Sequence, residues 1–105
     1  MSDWLGEFEQ TVLFAVAQID DAYGASIRDE IVHRTGREVS AGAVYTTLQR
    51  LEARGMVRSK WGDATPERGG KRKRHYSLEP AGRDALARSW SAMRAMARGL
   101  SHRLE

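Results

Sequence analysis

The hydrophobic pattern along this sequence is helical in its first half, alternates in two short segments, and becomes helical again. Apolar residues at helical spacing predict helices over residues 7–19, 24–35 and 40–54. The alternating segments, residues 56–61 and 74–78, predict two strands. Pro80 is tolerated in the first turn of a helix, so it opens a last predicted helix over residues 81–104, with a bend near Gly99.

Helix caps support these boundaries. Ser40 is a good N-cap for the third helix, and Gly55 fits the position just after its end. Ser26 and Asp29 have the spacing of a capping box for the second helix. The order of elements predicts a mainly α fold with a small two-stranded β-wing, namely a winged helix-turn-helix plus a long C-terminal helix.

We expect one compact domain of two parts, a winged helix-turn-helix unit over residues 1–79 and a C-terminal helix over residues 80–105. The sequence has no cysteine, so thiol catalysis, disulfides and thiolate metal sites are excluded. The three histidines are dispersed, and neither a P-loop nor a nucleophile elbow is present. We therefore expect no enzyme activity, no catalytic residue, no metal and no cofactor.

The longest apolar run, residues 12–17, is far too short to cross a bilayer. Acidic Asp3 and Glu7 stand where an export signal needs a basic end and an apolar stretch. We therefore expect a cytoplasmic protein with no membrane partner.

Charge is distributed unevenly between the two halves. Residues 1–52 carry four Arg, no Lys and nine acids, a net charge of −5, whereas residues 53–105 carry thirteen basic residues and five acids, a net charge of +8. This asymmetry favours an anionic partner for the second half, with nucleic acid as the first candidate. Ordinary solvated surface charge is the alternative.

The outward face of the third helix is polar and uncrowded. Val44, Leu48 and Leu51 share the face that packs on the domain, and the opposite face has small or hydrogen-bonding residues. Such a face can enter a major groove, where amides and guanidinium groups read base edges. The predicted DNA contacts of this helix are Ser40, Gly42, Tyr45, Thr46, Gln49 and Arg50. A solvated helix face is the alternative.

A basic, glycine-containing segment lies between the predicted strands. Two strands would hold it as a wing, whose side chains can reach phosphates or a minor groove. Its predicted DNA contacts are Arg68, Lys71, Arg72, Lys73 and Arg74. A flexible charged loop is the alternative.

The last predicted helix carries an apolar row with the 4, 3, 4, 3, 4 spacing of a coiled-coil seam. Its members are Leu86, Trp90, Met93, Ala97, Leu100 and Leu104. This row predicts a homodimer, which suits paired DNA half-sites. The alternative is that the row packs on the first helix of the same chain. Trp90 either only packs in this interface or forms one wall of a ligand site between protomers.

Short motifs in a specific order resemble those of the PadR-type transcriptional regulators. They are residues 5–9 (LGEFE), 22–24 (AYG), 40–45 (SAGAVY), 48–52 (LQRLE), 55–57 (GMV), 61–62 (WG), 69–73 (GGKRK), 76–78 (YSL) and 80–82 (PAG). The resemblance implies a homodimeric winged-helix repressor that a small molecule or another signal releases from a double-stranded DNA operator. The chain is similar to the short class, which has a single C-terminal helix.

Some short-class members hold flat aromatic compounds between tryptophans of the C-terminal helices. The resemblance therefore implies an effector site at Trp90, or at Met93, which stands where the typical tryptophan falls. Thr46 departs from the proline that many members have after the tyrosine. From another class of function, a winged-helix protein-interaction module or regulatory subunit that binds no DNA is the alternative.

Overall fold

The computed structural model of the protein describes residues 4–62 and 72–104, with only the backbone of Ser101. Five helices and one two-stranded sheet follow each other in these residues. They are α1 (Glu7–Gln18), α2 (Gly24–Thr35), α3 (Ala41–Ala53), β1 (Val57–Trp61), β2 (Arg74–Leu78), α4 (Pro80–Ala97) and α5 (Ser101–Leu104). The predicted fold class, mainly helical with a two-stranded antiparallel wing, is confirmed.

The core lies where α1, α2 and α3 meet. Its fully buried side chains are Leu13, Ile27, Leu48, Leu51, Val12 and Val44. The start of α4 adds Ala85 and Leu86 to the same cluster. The apolar stripe of each helix is thereby removed from water, which is the main contribution that stabilises a small fold.

Helix α3 begins as the sequence predicts. The Ser40 hydroxyl accepts a hydrogen bond from the Ala43 backbone N–H at 3.0 Å. The predicted capping box of α2 is wrong, because α2 begins at Gly24 and Ser26 already lies in its first turn. The Ser26 hydroxyl instead accepts from the Tyr23 N–H at 3.0 Å and donates to the Asp21 carbonyl at 2.7 Å. It orders the turn from α1 into α2.

The two strands pair antiparallel, with Val57 opposite Leu78 and Trp61 opposite Arg74. The Tyr76 N–H of β2 donates to the Ala22 carbonyl at 2.8 Å, which attaches the sheet to the connection between α1 and α2. The base of the wing is therefore fixed on the helical body.

Helix α4 approaches the start of β1 very closely. A Cβ atom at Gly82 would lie 2.0 Å from the Met56 carbonyl oxygen, so only glycine fits there. The same oxygen accepts a hydrogen bond from the Glu79 N–H at 2.9 Å. This contact sets the direction in which α4 leaves the winged unit.

The last predicted helix is interrupted near Gly99, where the sequence predicts a bend, so the prediction of one continuous helix over residues 81–104 is wrong. Helix α4 ends at Ala97, and Gly99 adopts a left-handed backbone with φ of 79°. A glycine with this φ ends a helix, because side-chain-bearing residues rarely adopt it. Leu100 and Leu104 consequently do not continue the helix that carries Met93. None of the helices in the described residues is long and apolar enough to span a membrane.

Candidate nucleic-acid interface

The outward face of α3 is exposed as the sequence predicts. Its members Ser40, Gly42, Tyr45, Thr46, Gln49 and Arg50 are all exposed in the structure. Thr47, which the helical wheel places at the border of this face, is only 4% exposed and belongs to the core side. The available polar surface therefore begins at the N-terminus of α3 and reaches Arg50.

Two side chains of this face contact each other. The Gln49 Nε2 donates to the Tyr45 hydroxyl oxygen at 3.3 Å, one helical turn away. This contact orients the amide and leaves its oxygen and second N–H free. A side chain held in this way loses less conformational freedom when it pairs with a base edge.

The turn before α3 depends on Arg28, a residue that the sequence reasoning missed. The Arg28 Nε donates to the Val39 carbonyl at 2.8 Å. Its guanidinium also lies 3.8 Å from the Glu38 carboxylate. Arg28 thus holds the chain just before the Ser40 cap. No local pattern marks it, because its acceptor is a backbone carbonyl eleven residues away.

The C-terminal end of α3 is fixed by a partly buried ion pair. The Arg54 Nη1 lies 2.9 Å from Glu9 Oε1, and the same oxygen accepts from the Gly6 N–H at 2.8 Å. Burial raises the pKa of Glu9, but the Gly6 hydrogen bond and Arg54 outweigh it and hold the pKa below its ordinary value of 4.5. Side chains from other helices, Arg28 of α2 and Glu9 of α1, therefore hold the chain at both ends of α3.

The described part of the wing presents two basic side chains beside aromatic rings. The Arg72 Nε donates to the Gly62 carbonyl at 2.9 Å, and its guanidinium carbon lies 5.9 Å from the centre of the Trp61 ring. The Lys73 Nζ lies 4.1 Å from the centre of the Tyr23 ring. Arg68 and Lys71 lie outside the described residues. Both positive groups can still face an anion, because these contacts use only part of their donors.

Arg74 differs from the other basic residues of the wing. Its Nε donates to the Ser59 hydroxyl at 2.8 Å, and its Nη2 donates to the Glu52 carboxylate of α3 at 3.2 Å. Its guanidinium carbon also lies 5.7 Å from the centre of the Trp61 ring. The sequence predicts Arg74 as a DNA contact, and the structure gives it partners within the chain that this prediction did not include.

The apolar row of α4 is divided between the interior and the surface. Leu86 is 8% exposed and lies in the core, whereas the row predicts it on a dimer surface. Trp90 is half exposed and meets Phe14 of α1 edge to face, with 6.2 Å between ring centres. The sequence reading that the row packs on the first helix therefore holds for this part.

Beyond Trp90 the remaining members of the row are all exposed in the described chain, namely Met93, Ala97, Leu100 and Leu104. The most exposed large apolar side chains include Met93, Met96 and Leu104. Met96, at 79% exposed, is the most exposed of the three. Met96 was not in the predicted row. It follows Ser89 and Met93 at helical spacing, on the face that α4 buries nearer its start.

A groove of about 620 Å³ lies between α1, the end of β2 and α4. Phe14 and Trp90 form aromatic parts of its wall, and Gln18 and Arg83 supply polar groups. Of the two residues predicted for an effector, Trp90 lines this groove and Met93 is an exposed residue one turn further along. No group of three metal-ligating side chains occurs among the residues that the structure describes.

A helix-turn-helix whose exposed polar helix stands beside a basic two-stranded hairpin defines a winged-helix protein. The sequence model of the transcriptional regulator PadR-like family matches residues 12–88, and the chain belongs to that family. It is therefore a member of a family of transcriptional regulators, as its motifs indicate.

Relatives and solved structures agree with this assignment. The transcriptional regulator Rv3488 of Mycobacterium tuberculosis is 37% identical over 87 residues, which cover 79% of this chain and 77% of the relative. A PadR family transcription regulator from Clostridium difficile superposes with a TM-score of 0.76 at 21% identity, over 93% of this chain and 99% of that chain.

The structure of Bacillus subtilis PadR in complex with operator DNA is also similar. It has a TM-score of 0.67 at 16% identity, over 80% of this chain and 46% of that chain. At these identities, the likeness to the two solved structures shows the fold.

Proposed function

We propose that this protein binds double-stranded DNA sequence-specifically as a homodimer and represses transcription until a small molecule releases it. The observation that carries DNA binding is the pairing of an exposed, acid-free face on α3, from Ser40 to Arg50, with the basic side chains Arg72 and Lys73 on the adjacent hairpin. Base edges and phosphates require these two kinds of group.

We expect α3 and the wing to have different roles in binding. Gln49 and Arg50 can form bidentate hydrogen bonds with adenine and guanine in a major groove. Arg72 and Lys73 would neutralise phosphates of the neighbouring backbone. The operator complex of Bacillus subtilis PadR supports this proposal, because that protein has the same fold.

The homodimer rests on the surface of α4. Met93 and Met96 continue the buried face of α4 beyond the core, where they are 56% and 79% exposed. A second copy would bury these side chains, and burial of a large apolar side chain contributes about 1.5–3 kcal/mol. Two-fold symmetry would also present two copies of α3 to paired half-sites.

The repressor role and its relief come from the family resemblance, and the groove at Trp90 supports the second. Its volume of about 620 Å³ suits a small organic molecule. The aromatic walls at Phe14 and Trp90 fit a flat aromatic effector. A ligand seated against α4 could change how the two protomers are arranged, and with it the spacing of the DNA-reading helices.

Affinity selection from a pool of genomic DNA fragments tests the proposal. The protein should retain a small set of duplexes that share a two-fold-related sequence, and their affinity should fall steeply as salt rises. If it retains no duplex at low salt, DNA binding is wrong, and the protein-interaction module becomes the better description.

A further inference from the structure

Three side chains from three elements form a closed set of hydrogen bonds between the wing and the recognition helix. The Ser59 hydroxyl of β1 donates to Glu52 Oε2 of α3 at 2.7 Å. Arg74 of β2 donates to both of them, to Ser59 Oγ at 2.8 Å and to Glu52 Oε1 at 3.2 Å. We call this set the Glu52–Ser59–Arg74 triangle.

We propose that Glu52 and Arg74 are positioning residues for DNA specificity, because they fix the wing at one angle to the base-reading face of α3. This inference rests on the proposed function. Arg74 is then a connection within the chain, whereas its neighbours Arg72 and Lys73 are the basic groups that face DNA.

The location of Glu52 explains why the triangle can affect base reading. Glu52 follows Gln49 by three residues, so both lie on the same side of α3. The wing contacts α3 one turn from the amide that we expect in the major groove. A change in the Glu52–Arg74 contact would shift the hairpin relative to Gln49.

The hydrogen-bonding groups of the triangle match one another closely. The two Glu52 oxygens accept from different residues, and Arg74 uses two of its nitrogens on two acceptors. The Trp61 ring lies beside the same guanidinium and covers another side of it. A phosphate would therefore have to compete with a carboxylate, a hydroxyl and a ring that already hold Arg74.

The outer edge of β2 has its own attachment to the helical body. The Tyr76 N–H bonds the Ala22 carbonyl, and His75 Nδ1 lies 2.8 Å from Asp21 Oδ1. The backbone bond would keep the hairpin attached if the triangle were broken. Loss of the triangle should consequently change the angle of the wing while the wing stays folded.

Loss of the Glu52–Arg74 contact can change the stability of the fold only slightly and still reduce DNA specificity strongly. Glu52 and Arg74 are each about one-third exposed, so their ion pair contributes little to the free energy of unfolding. Specific binding requires α3 and the wing to contact the duplex simultaneously in one register, whereas non-specific binding requires only the positive charge. A misplaced wing therefore reduces discrimination more than it reduces affinity for random DNA.

The test uses the full chain with Glu52→Gln, which removes the charge of the acceptor and keeps every basic residue. The probes are a duplex selected by the protein from a random pool and a scrambled duplex of the same composition. We expect the ratio of the two affinities to fall about tenfold, with an unchanged dependence of affinity on salt. Glu30→Gln, which removes the acceptor of the Arg34 pair on α2, is the matched control.

A second variant makes the result independent of any one substitution. Ser59→Ala should lower the same ratio, because it removes the hydroxyl that both partners contact. The exchanged pair Glu52→Arg with Arg74→Glu should restore part of the ratio, which a merely damaged fold would not.

Tryptophan fluorescence gives a readout that does not need DNA. The double variant Trp4→Phe with Trp90→Phe leaves Trp61 as the only tryptophan. Adding Glu52→Gln to this variant should change the emission of the Trp61 indole.

Three outcomes would overturn the inference. If Arg74 binds phosphate, Glu52→Gln frees it, and affinity for both duplexes rises with a steeper salt dependence. If the triangle has no effect on the wing, Glu52→Gln and Ser59→Ala discriminate as well as the wild type. If the wild type itself binds neither duplex, the proposed function fails and the inference fails with it.

Discussion

Arg54, just after α3, donates a hydrogen bond of 2.9 Å to the Glu9 carboxylate of α1. Glu9 is 8% exposed, and it also accepts from the Gly6 N–H in the first turn of its own helix. One carboxylate thus caps α1 and holds the end of the recognition helix. This double use couples the ionisation of Glu9 to the stability of the fold.

Replacement of Glu9 by Gln should destabilise the protein at neutral pH by about 1.5–3 kcal/mol, because a charged hydrogen bond in a partly buried site is lost. The pKa of Glu9 is lowered in the folded state, so its contribution is present above pH 4.5 and lost as the pH falls through the folded-state pKa. The difference between wild type and variant should therefore narrow in acid.

Urea unfolding from pH 7 down to pH 3 measures this difference. Glu7→Gln is the control, because Glu7 also has a lowered pKa, from its hydrogen bond with Arg37, but is well exposed. Glu7→Gln should lower the free energy of unfolding by less than about 1 kcal/mol. Equal losses in the two variants would show that the Glu9–Arg54 contact has no special role.

Gly82→Ala should destabilise the protein by about 1–3 kcal/mol or more, because the new methyl group would lie 2.0 Å from the Met56 carbonyl oxygen. Thermal unfolding of the two proteins measures the effect. Gly24→Ala is a matched control, since Gly24 is also helical and has open space around its Cβ position. A Gly82 variant as stable as the Gly24 variant would contradict the close approach of α4 and β1.

Introduction of charge at Met93 should dissociate the proposed homodimer. Met93→Glu lies on the exposed part of α4, outside the protomer's core, so the chain should remain folded while the dimer is lost. Sedimentation velocity at micromolar concentration measures the species. Ser91→Glu, on another exposed side of α4, should remain dimeric. A monomeric wild type would refute the dimer.

Neutralisation of the wing should weaken binding to all duplexes alike. Arg72→Ala and Lys73→Ala each remove one expected phosphate contact per protomer, and each lost contact should reduce the log–log salt slope by roughly 0.9. Binding is measured on selected and scrambled duplexes over a salt series. An unchanged slope in both variants would mean that these side chains belong to a solvated loop.

Gln49 should determine sequence choice. Gln49→Ala should weaken the free energy of binding to the selected duplex by about 1–3 kcal/mol per half-site. The loss on the scrambled duplex should be much smaller, because random DNA does not place an adenine where Gln49 can form a bidentate contact. Tyr45→Phe, which removes the 3.3 Å contact with the amide, should have a smaller effect of the same kind. Gln10→Ala on α1, away from both the α3 face and the groove, is the control. Equal losses on both duplexes would assign Gln49 to phosphate.

Several features of the candidate interface could be predicted because their signals are local. The spacing of Val44, Leu48 and Leu51 defines the buried side of α3, and the Ser40 cap defines its start. Exposure of Tyr45, Gln49 and Arg50 follows from the same spacing. The basic character of the wing is likewise read directly from the run that ends at Arg74.

Other features depend on neighbours that are distant in the sequence. Arg28 finds the Val39 carbonyl across the helix-turn-helix, and neither residue has a pattern that indicates the other. The helical wheel places Leu86 on a dimer seam, but it cannot tell which part of α4 the body of the protomer covers. For this reason Leu86, a member of the predicted row, is buried, and Met96, outside that row, is exposed.

The sequence by itself determined the kinds and order of the elements, since hydrophobic period, caps and turn residues act over a few positions. It also determined the family, through short motifs in a fixed order. Only the tertiary structure decided the partners of Arg74, because Glu52 lies 22 residues away and meets it only after the hairpin has folded back onto α3. The sequence does not show which groups a charged side chain will contact. Its role follows from the groups that packing brings within hydrogen-bonding distance.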